Sequence, residues 1–349
     1  MKNEIKNYSK YICRFLLDRN FLKISEINFA VTYKCNSRCK MCNIWEIYRN
    51  EKSKINQELT LKEIKFAFKD LDANLRSITI TGGEPFLRDD LKKILHFFHK
   101  KFHSAKITII TNGILKDKIL DFATRLKKIH YMISIDGYDK ESYKKVRGVD
   151  KFDEVVDLYN QLKLMGIDVG ISSTISNYNY EEFWQIFKFL NKMGGGVMCL
   201  ESYSAIYYHN KEVKINKDIL INNFNSLSKI YLKNRDLLNW FFYGKMIDYL
   251  KNNKKMILPC YALQKSIFID PYGNVFPCIF IGNAIGNLKT ESLQNILSSN
   301  KRFKIIRIIQ KRKCPNCWTQ CQSILNIKEN LWKMPLEAIK LLYKQLVRM

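Results

Sequence analysis

The segment Thr32–Trp45, TYKCNSRCKMCNIW, carries three cysteines, Cys35, Cys39 and Cys42, at the spacing C-x3-C-x2-C. It follows residues 27–31, INFAV, which alternate like a half-buried strand. Three thiols are therefore expected on one loop at the end of a strand. Thiolates this close together select an iron–sulfur cluster or zinc. Because the loop offers no fourth ligand, a cubane cluster bound there would keep one iron open for chemistry.

Zinc is the alternative at this loop, but a structural zinc site usually takes four protein ligands. The nearest histidines, His96, His99 and His103, lie far along the chain in a predicted helix. A second motif follows the strand-like residues 77–81 and consists of Gly82, Gly83, Glu84 and Pro85. This composition predicts a sharp turn, where bare backbone and one carboxylate approach the amino group of a small ligand.

Together, the CNSRCKMC and GGEP motifs resemble the radical S-adenosylmethionine (SAM) superfamily in both spacing and order. The resemblance implies that the three cysteines hold a [4Fe–4S] cluster whose open iron chelates the methionine moiety of SAM. It also implies that the GGEP turn binds the amino group of SAM. The family usually has an aromatic residue before the third cysteine; here that residue is Met41, whose thioether can also pack against adenine.

The length and composition of the chain limit the kinds of protein that it can be. Its 349 residues allow about two domains, and 46% hydrophobic residues suffice for a core. No stretch approaches the roughly 18 apolar residues of a membrane span, and the first residues lack the apolar core of a signal peptide. We therefore expect a cytoplasmic protein whose ten cysteines are reduced. The net charge of +26 raises affinity for anionic partners, although lysines spread along the whole chain favour a solvated surface.

Strand-like and helix-like stretches alternate six times between residues 26 and 205, which indicates parallel βα units. Strands are predicted at 26–32, 77–82, 106–111, 131–136, 168–175 and 197–203. Helices are predicted at 60–73, 88–102, 116–128, 151–165 and 180–193, with Thr60 and Asp89 as caps. Six units with right-handed crossovers predict an α/β fold, an open (β/α)6 partial barrel of the TIM type. The resemblance implies the same fold.

Ligands of parallel sheets gather at the carboxyl ends of the strands. By the resemblance, Ser134 or Asp136 at the end of strand four contacts the ribose of SAM. Arg147, in the sequence VRG, matches an arginine that pairs with the SAM carboxylate, and Asn112 is a further candidate of this kind. Each residue taken singly fits a turn or cap role equally well. The polar end of strand six, Glu201-Ser202-Tyr203, fits the same cleft.

A second cysteine group lies near the C-terminus. Cys260 and Cys278, in the pattern C-x12-G-x4-C, flank a predicted hairpin, and Cys314, Cys317 and Cys321 follow as C-x2-C-x3-C. The pattern resembles the SPASM and twitch domains of radical SAM enzymes. It implies one auxiliary [4Fe–4S] cluster, held by the first two cysteines and two of the other three. A structural zinc is the alternative. The two remaining cysteines, Cys13 and Cys199, are predicted to pack in the interior.

The predicted organisation has five parts: a basic amphipathic helix over 1–25, the partial barrel over 26–205, a helical connector over 206–255, the auxiliary-cluster domain over 256–323, and a C-terminal amphipathic helix over 324–349. Residues 301–313 carry seven basic residues and no acidic one. Such stripes can make peripheral membrane contact, but packing on their own domain is the more common arrangement.

These patterns predict a radical SAM enzyme that reductively cleaves SAM and removes a hydrogen atom from a substrate in the barrel mouth. An electron donor such as flavodoxin or ferredoxin is expected. The auxiliary cluster favours oxidation of a small molecule, glycan or lipid precursor.

Three other interpretations are weighed against this one. The first is maturation of a ribosomally made peptide, for which about 25 residues before the first strand leave little room for a recognition domain. The second is a molybdopterin-pathway enzyme, disfavoured by an end in Leu346-Val347-Arg348-Met349 rather than a double glycine. The third is a non-catalytic metal-binding protein whose basic surface binds nucleic acid. The GGEP motif beside the three cysteines counts against it, so nucleic acid is not an expected partner.

Overall fold

The computed structural model describes residues 23–72, 75–205, 207–210, 215–252 and 257–330, together with positions 335, 338, 339 and 341. Cys13, nearly all of the predicted helix 1–25 and most of the predicted helix 324–349 lie outside the described residues. Among those described, no helix is both long and apolar enough to pass through a membrane.

The described strands form one sheet in the order β6-β5-β4-β3-β2-β1-β7-β8-β9. Neighbours from β1 to β6 run parallel, as the α/β partial barrel predicts. The bounds are β1 Glu26–Thr32, β2 Ser77–Gly82, β3 Lys106–Thr111, β4 His130–Ser134, β5 Val169–Ile175, β6 Val197–Leu200, β7 Ser266–Ile269, β8 Asn274–Phe276 and β9 Gly286–Asn287. All six predicted strands are present, although the last ends three residues earlier than predicted.

The helices cover the outer face of the sheet and fill the connector. Their bounds are α1 Ile47–Asn50, α2 Leu61–Phe68, α3 Leu91–Lys101, α4 Lys116–Arg125, α5 Lys140–Arg147, α6 Phe152–Leu164, α7 Phe183–Lys192, α8 Lys217–Lys233, α9 Leu237–Lys251, α10 Leu293–Leu297, α11 Asn300–Gln310 and α12 Gln320–Glu329. Thr60 caps α2 through a capping box with Glu63. The predicted cap Asp89 is wrong: α3 follows Asp90, whose carboxylate instead pairs with Arg88 at 2.6 Å.

Alternation along the strands separates an apolar outer face from a lumen that carries polar and apolar side chains. On β1, Ile27 and Phe29 are buried in the core under the helices. The intervening Asn28, with Thr79 on β2 and Thr108 on β3, lines the interior of the barrel instead. The hydroxyl and amide groups among this lining are suited to hold a polar ligand, because such groups would be costly to bury without partners.

The auxiliary-cluster region does not form a sheet of its own. Its hairpin is confirmed, since β7 pairs antiparallel with β8, but β7 also pairs in parallel with β1 and so extends the barrel sheet. Helix α12 then bridges the gap between the two edges of the barrel, β6 and β7. At the β6 edge the thiol of Cys199 donates to Gln320 Oε1 at 3.1 Å, and at the β7 edge the hydroxyl of Ser266 donates to Gln322 Oε1 at 3.1 Å. The second cysteine region therefore closes the partial barrel.

Candidate active site

One large cavity, here called the main cavity, occupies the barrel and has a volume of about 690 Å³. At the carboxyl ends of the strands it is lined by the N-terminal cysteine loop, residues 35–42. At the other end it reaches Glu26, Lys106 and His130, the first residues of β1, β3 and β4. Strands of this length span about 20 Å, so the cavity runs the whole depth of the barrel.

The two glycines of the GGEP motif bring the turn after β2 against the cysteine loop. Gly82 has a φ of +137°, and a Cβ on it would lie 2.1 Å from the carbonyl oxygen of Thr32. A Cβ on Gly83 would lie 2.1 Å from the carbonyl oxygen of Lys34. The amides of Gly83 and Glu84 donate to these same carbonyls at 2.8 and 2.7 Å. Only glycine permits this contact, which places bare backbone on the cavity wall.

Glu84 lies behind that wall. Gly82 and Gly83 line the main cavity, whereas Glu84 and Pro85 do not, and Glu84 is fully buried. Its carboxylate accepts hydrogen bonds from the Thr111 hydroxyl at 2.8 Å, the Asn112 amide at 2.7 Å and the Phe86 amide at 3.2 Å. Burial raises the pKa of Glu84 to about 7, against the opposing effect of these donors. The contact of this carboxylate with the SAM amino group stays a prediction; the structure shows it bracing the ends of β2 and β3.

Arg147 and Asp136 form a buried pair beside the cysteine loop. Arg147 Nε lies 2.8 Å from Asp136 Oδ2, and Arg147 NH1 donates to the Sγ atom of Cys39 at 3.3 Å. Burial raises the pKa of Asp136, while Arg147 opposes that rise. Both side chains line the main cavity, so their predicted contacts with the SAM carboxylate and ribose remain open as predictions. The guanidinium places a positive charge next to Cys39, one of the predicted cluster ligands.

The backbone around Arg147 holds the cysteine loop in place. The carbonyl of Arg147 accepts from the Arg38 amide at 3.0 Å and the Ser37 hydroxyl at 3.1 Å. Gly148, at φ +68°, lets this segment approach, because a Cβ there would lie 2.4 Å from the Arg38 carbonyl oxygen. Hydrogen bonds to the Arg147 carbonyl and the close approach of Gly148 therefore fix the position of the cysteine loop.

The other two predicted cofactor residues lie at the same strand ends. The Asn112 side-chain amide donates to Asn36 Oδ1 at 2.8 Å and lies 4.0 Å from Cys35 Sγ. Ser134, the last residue of β4, lines the main cavity. Asn112 therefore supports the cysteine loop, and Ser134 faces the space where a ligand would bind.

The chemistry of the cysteine loop suits an iron–sulfur cluster. Burial, with a smaller effect of neighbouring thiols, raises the pKa of Cys35 to about 12 and raises that of Cys42 further. Such thiols become thiolates only when metal binding displaces the proton. Among the residues described, no three His, Cys, Asp or Glu side chains converge closely enough for a single metal ion. A cubane binds each thiolate at a different iron, so its ligands stand farther apart than those of one zinc ion.

Four of the five C-terminal cysteines surround a separate small cavity, here called the auxiliary pocket: Cys260, Cys278, Cys314 and Cys317. Burial raises the pKa of three of them, Cys260, Cys278 and Cys317, to about 12. Cys321 does not line this pocket and faces the main cavity instead. The geometry thus favours Cys260, Cys278, Cys314 and Cys317 as the ligand set, and their binding of a cluster stays a prediction. Because Cys278 lines both cavities, the auxiliary pocket lies directly behind the wall of the main one.

Several residues of the site carry no local signal in the sequence. Cys199, predicted to pack in the interior, lines the main cavity, as does Trp45. Glu201, which the sequence placed at this cleft, lines it as well. The Tyr207 hydroxyl lies 2.9 Å from Thr81 Oγ1 and donates to the Gly82 carbonyl at 3.2 Å. These hydrogen bonds hold the segment after β6 over the GGEP turn. The partners are more than a hundred positions apart in the chain, and no motif predicts the contact.

Two protein-family models match the chain: the radical SAM superfamily over residues 29–190, and SPASM, an iron–sulfur cluster-binding domain, over residues 260–322. A probable GTP 3′,8-cyclase of Saccharolobus islandicus is 29% identical over 272 residues, which cover 75% of this chain and 80% of the relative. A GTP 3′,8-cyclase of Campylobacter jejuni is 26% identical over 227 residues, which cover 63% of this chain and 69% of the relative.

Solved structures share the fold, and two of them are described. One is anSMEcpe with bound AdoMet, with a TM-score of 0.61 and 16% identity over 81% of this chain and 83% of that chain. The other is Streptococcus suis SuiB bound to S-adenosylmethionine, with a TM-score of 0.60 and 18% identity over 88% of this chain and 73% of that chain. The predicted partial barrel with its C-terminal cysteine region is confirmed.

Proposed function

We propose, from the premise that this chain belongs to the radical SAM superfamily and carries a SPASM domain, that it oxidises a small polar substrate held between its two cluster sites. One observation carries this proposal. The main cavity is continuous from the cysteine loop to Cys278, which also lines the auxiliary pocket. A substrate in the cavity would therefore lie between the radical-generating site and a second redox centre.

When bound, the [4Fe–4S] cluster and SAM supply a 5′-deoxyadenosyl radical that removes a hydrogen atom from the substrate. The chain's own residues prepare the site for this chemistry. The thiols of the cysteine loop are its metal ligands, and the bare backbone of Gly82 and Gly83 is the surface available to the amino group of SAM. Trp45, on the same cavity wall, supplies an aromatic face for adenine in place of the usual aromatic residue at position 41.

The dimensions and polarity of the main cavity limit the substrate. At about 690 Å³ it lies within the usual range of ligand pockets, and SAM must share that space, so the substrate is small. Thr79, Thr108, Ser134 and Ser172 contribute hydroxyl groups to the lumen, which apolar side chains also line. These hydroxyl groups favour a sugar, nucleotide or other polar molecule over a lipid, because hydroxyls without partners are costly in contact with an apolar ligand.

Oxidation after hydrogen-atom removal requires that one electron and one proton leave the substrate. The auxiliary pocket offers the site for the electron. Glu201 is suited to take the proton, because it lines the main cavity and its Oε1 atom is buried without a hydrogen-bond partner among the described residues. Its other oxygen accepts from the Asn177 amide at 3.1 Å. Burial raises the pKa of Glu201, which makes the carboxylate a better base.

A second candidate is the reaction named for the relatives, GTP 3′,8-cyclisation. A triphosphate needs cationic partners, and Lys106 and Lys328 line the far end of the main cavity. Lys106 already pairs with Asp168, because its Nζ atom lies 3.3 Å from a carboxylate oxygen of that residue. This pairing reduces the positive charge available to phosphates.

The test uses anaerobically reconstituted protein with SAM and dithionite. 5′-Deoxyadenosine is measured alone, with GTP, and with a panel of deuterated sugars and nucleotide sugars, and Cys39→Ala serves as the inactive control. We expect a polar substrate other than GTP to raise 5′-deoxyadenosine formation and to transfer deuterium into it. A rise with GTP alone, with a 3′,8-linked product, would establish the second candidate instead. No 5′-deoxyadenosine from iron-loaded protein under any condition would contradict both.

A further inference from the structure

Helix α11 and the loop after it present a cluster of six exposed cations, here called the basic face: Lys301, Lys304, Arg307, Lys311, Arg312 and Lys313. None of the six is ion-paired with an acidic side chain in the described part of the chain. The seventh basic residue of the segment, Arg302, is buried and donates to the carbonyls of Leu263 at 2.8 Å and Leu297 at 2.7 Å. One cation thus fixes the helix, and the other six face solvent.

The basic face lies directly over the auxiliary pocket. Ile309, on the buried side of α11, lines that pocket together with its four cysteines. Lys313 immediately precedes Cys314. A helix with its side chains is about 10 Å thick, so a molecule bound to the basic face would lie within roughly that distance of the cysteines. A concentrated positive potential beside a redox centre favours an anionic electron carrier.

The structure argues against a membrane surface or a single-stranded nucleic acid as the partner of the basic face. A helix that lies in a membrane surface buries its own apolar face in lipid, but the apolar residues of α11, Ile305, Ile306 and Ile309, are already buried against the domain. Ile308 is the exposed large apolar residue of this helix. Binding of single-stranded nucleic acid generally uses exposed aromatic rings for base stacking, and the six residues of the basic face include none.

We propose that the basic face docks an acidic one-electron carrier protein of the flavodoxin type, which exchanges electrons with the auxiliary cluster. This inference rests on the proposed oxidation. The carrier provides one electron for SAM cleavage. The substrate radical then releases one proton to a base and one electron to the auxiliary cluster, and the oxidised carrier on the basic face takes that electron. Each oxidation thus consumes one SAM and returns the carrier to its reduced state.

The test compares two variants with equal changes in net charge. The first, Lys304→Glu with Arg307→Glu and Lys311→Glu, reverses the basic face. The matched control, Lys127→Glu with Lys128→Glu and Lys192→Glu, changes exposed lysines that precede β4 and β6 on the barrel. The probe is a purified flavodoxin of net negative charge. Its Kd for the iron-loaded protein is measured at low and high salt, and oxidation of the prereduced auxiliary cluster is followed by stopped flow.

We expect reversal of the basic face to weaken flavodoxin binding and to slow cluster oxidation at least about tenfold at low salt, with a smaller effect at high salt. The control should stay within about twofold. Both variants should keep their iron, and with dithionite both should keep uncoupled 5′-deoxyadenosine formation. Arg307→Gln provides a milder change if the triple variant folds poorly.

Three outcomes would overturn the inference: equal losses in both triple variants, no loss in either, or flavodoxin binding that is unaffected while anionic vesicles or a DNA oligonucleotide bind through the basic face. Failure of the proposed oxidation is distinguishable. In that case no substrate is turned over, whereas flavodoxin still binds through the basic face and the docking surface stands.

Discussion

The brace formed by Glu84 leads to a quantitative prediction. Its buried carboxylate accepts from the Thr111 hydroxyl at 2.8 Å and from the amides of Asn112 at 2.7 Å and Phe86 at 3.2 Å. Glu84→Ala leaves three donors without an acceptor, at about 1–3 kcal/mol each. The carboxyl pKa of Glu84 is raised from 4.5 to about 7, so the buried charge itself costs the folded protein about 3 kcal/mol above pH 7. Removing that charge offsets part of the cost of the three unpaired donors. The free energy of unfolding should therefore fall by about 3 kcal/mol.

The variant Glu84→Gln separates charge from shape. Because the folded pKa of Glu84 lies above its unfolded value, the folded protein retains a proton that the unfolded chain has lost between pH 4.5 and about 7. The stabilisation from this group is full below pH 4.5 and is lost as the pH rises through 7. The wild-type protein should therefore lose up to about 3 kcal/mol between pH 5 and 8 that Glu84→Gln does not lose. Anaerobic guanidinium unfolding followed by circular dichroism measures the difference.

SAM binding and iron content are measured on the same samples. The brace predicts that Glu84→Ala loses stability together with iron, because the turn after β2 is bonded to the start of the cysteine loop. If the unfolding free energy and iron content stay unchanged while SAM affinity alone falls, the carboxylate contacts SAM and the bracing argument is wrong.

Three further predictions, made with four variants, test the site. Gly83→Ala places a Cβ 2.1 Å from the Lys34 carbonyl oxygen and should reduce iron from about eight to about four atoms per chain; full iron content would refute the close-contact argument. Cys317→Ser should likewise lose about four iron atoms while Cys321→Ser keeps about eight, and equal losses would place Cys321 among the ligands. Glu201→Gln should keep substrate-dependent 5′-deoxyadenosine but lower product formation at least about tenfold; unchanged product would exclude Glu201 as the base.

Local patterns in the sequence predicted the strands well. β1 and β3 begin and end at the predicted residues, because the two-residue alternation and the turn residues that stop each strand are encoded within a few positions. Helix α5 was missed, since its sequence KESYKKVR is mostly charged and offers only two apolar-faced residues, Tyr143 and Val146, one turn apart. Its boundaries come instead from the capping box of Asp139 with Ser142 and from the left-handed Gly148.

The sequence by itself determined the kind of chemistry, because the C-x3-C-x2-C spacing and the two glycines of GGEP act within short stretches of chain. Only the tertiary structure decided which cysteines belong together, how β7 joins β1, and that Arg147 lies between Asp136 and Cys39. Arg147 and Cys39 are 108 positions apart, and Cys199 and Gln320 are 121 apart. Such neighbours depend on the order of the strands and on the closure of the barrel by α12, which arise from packing across the whole fold and leave no periodic signal in the chain.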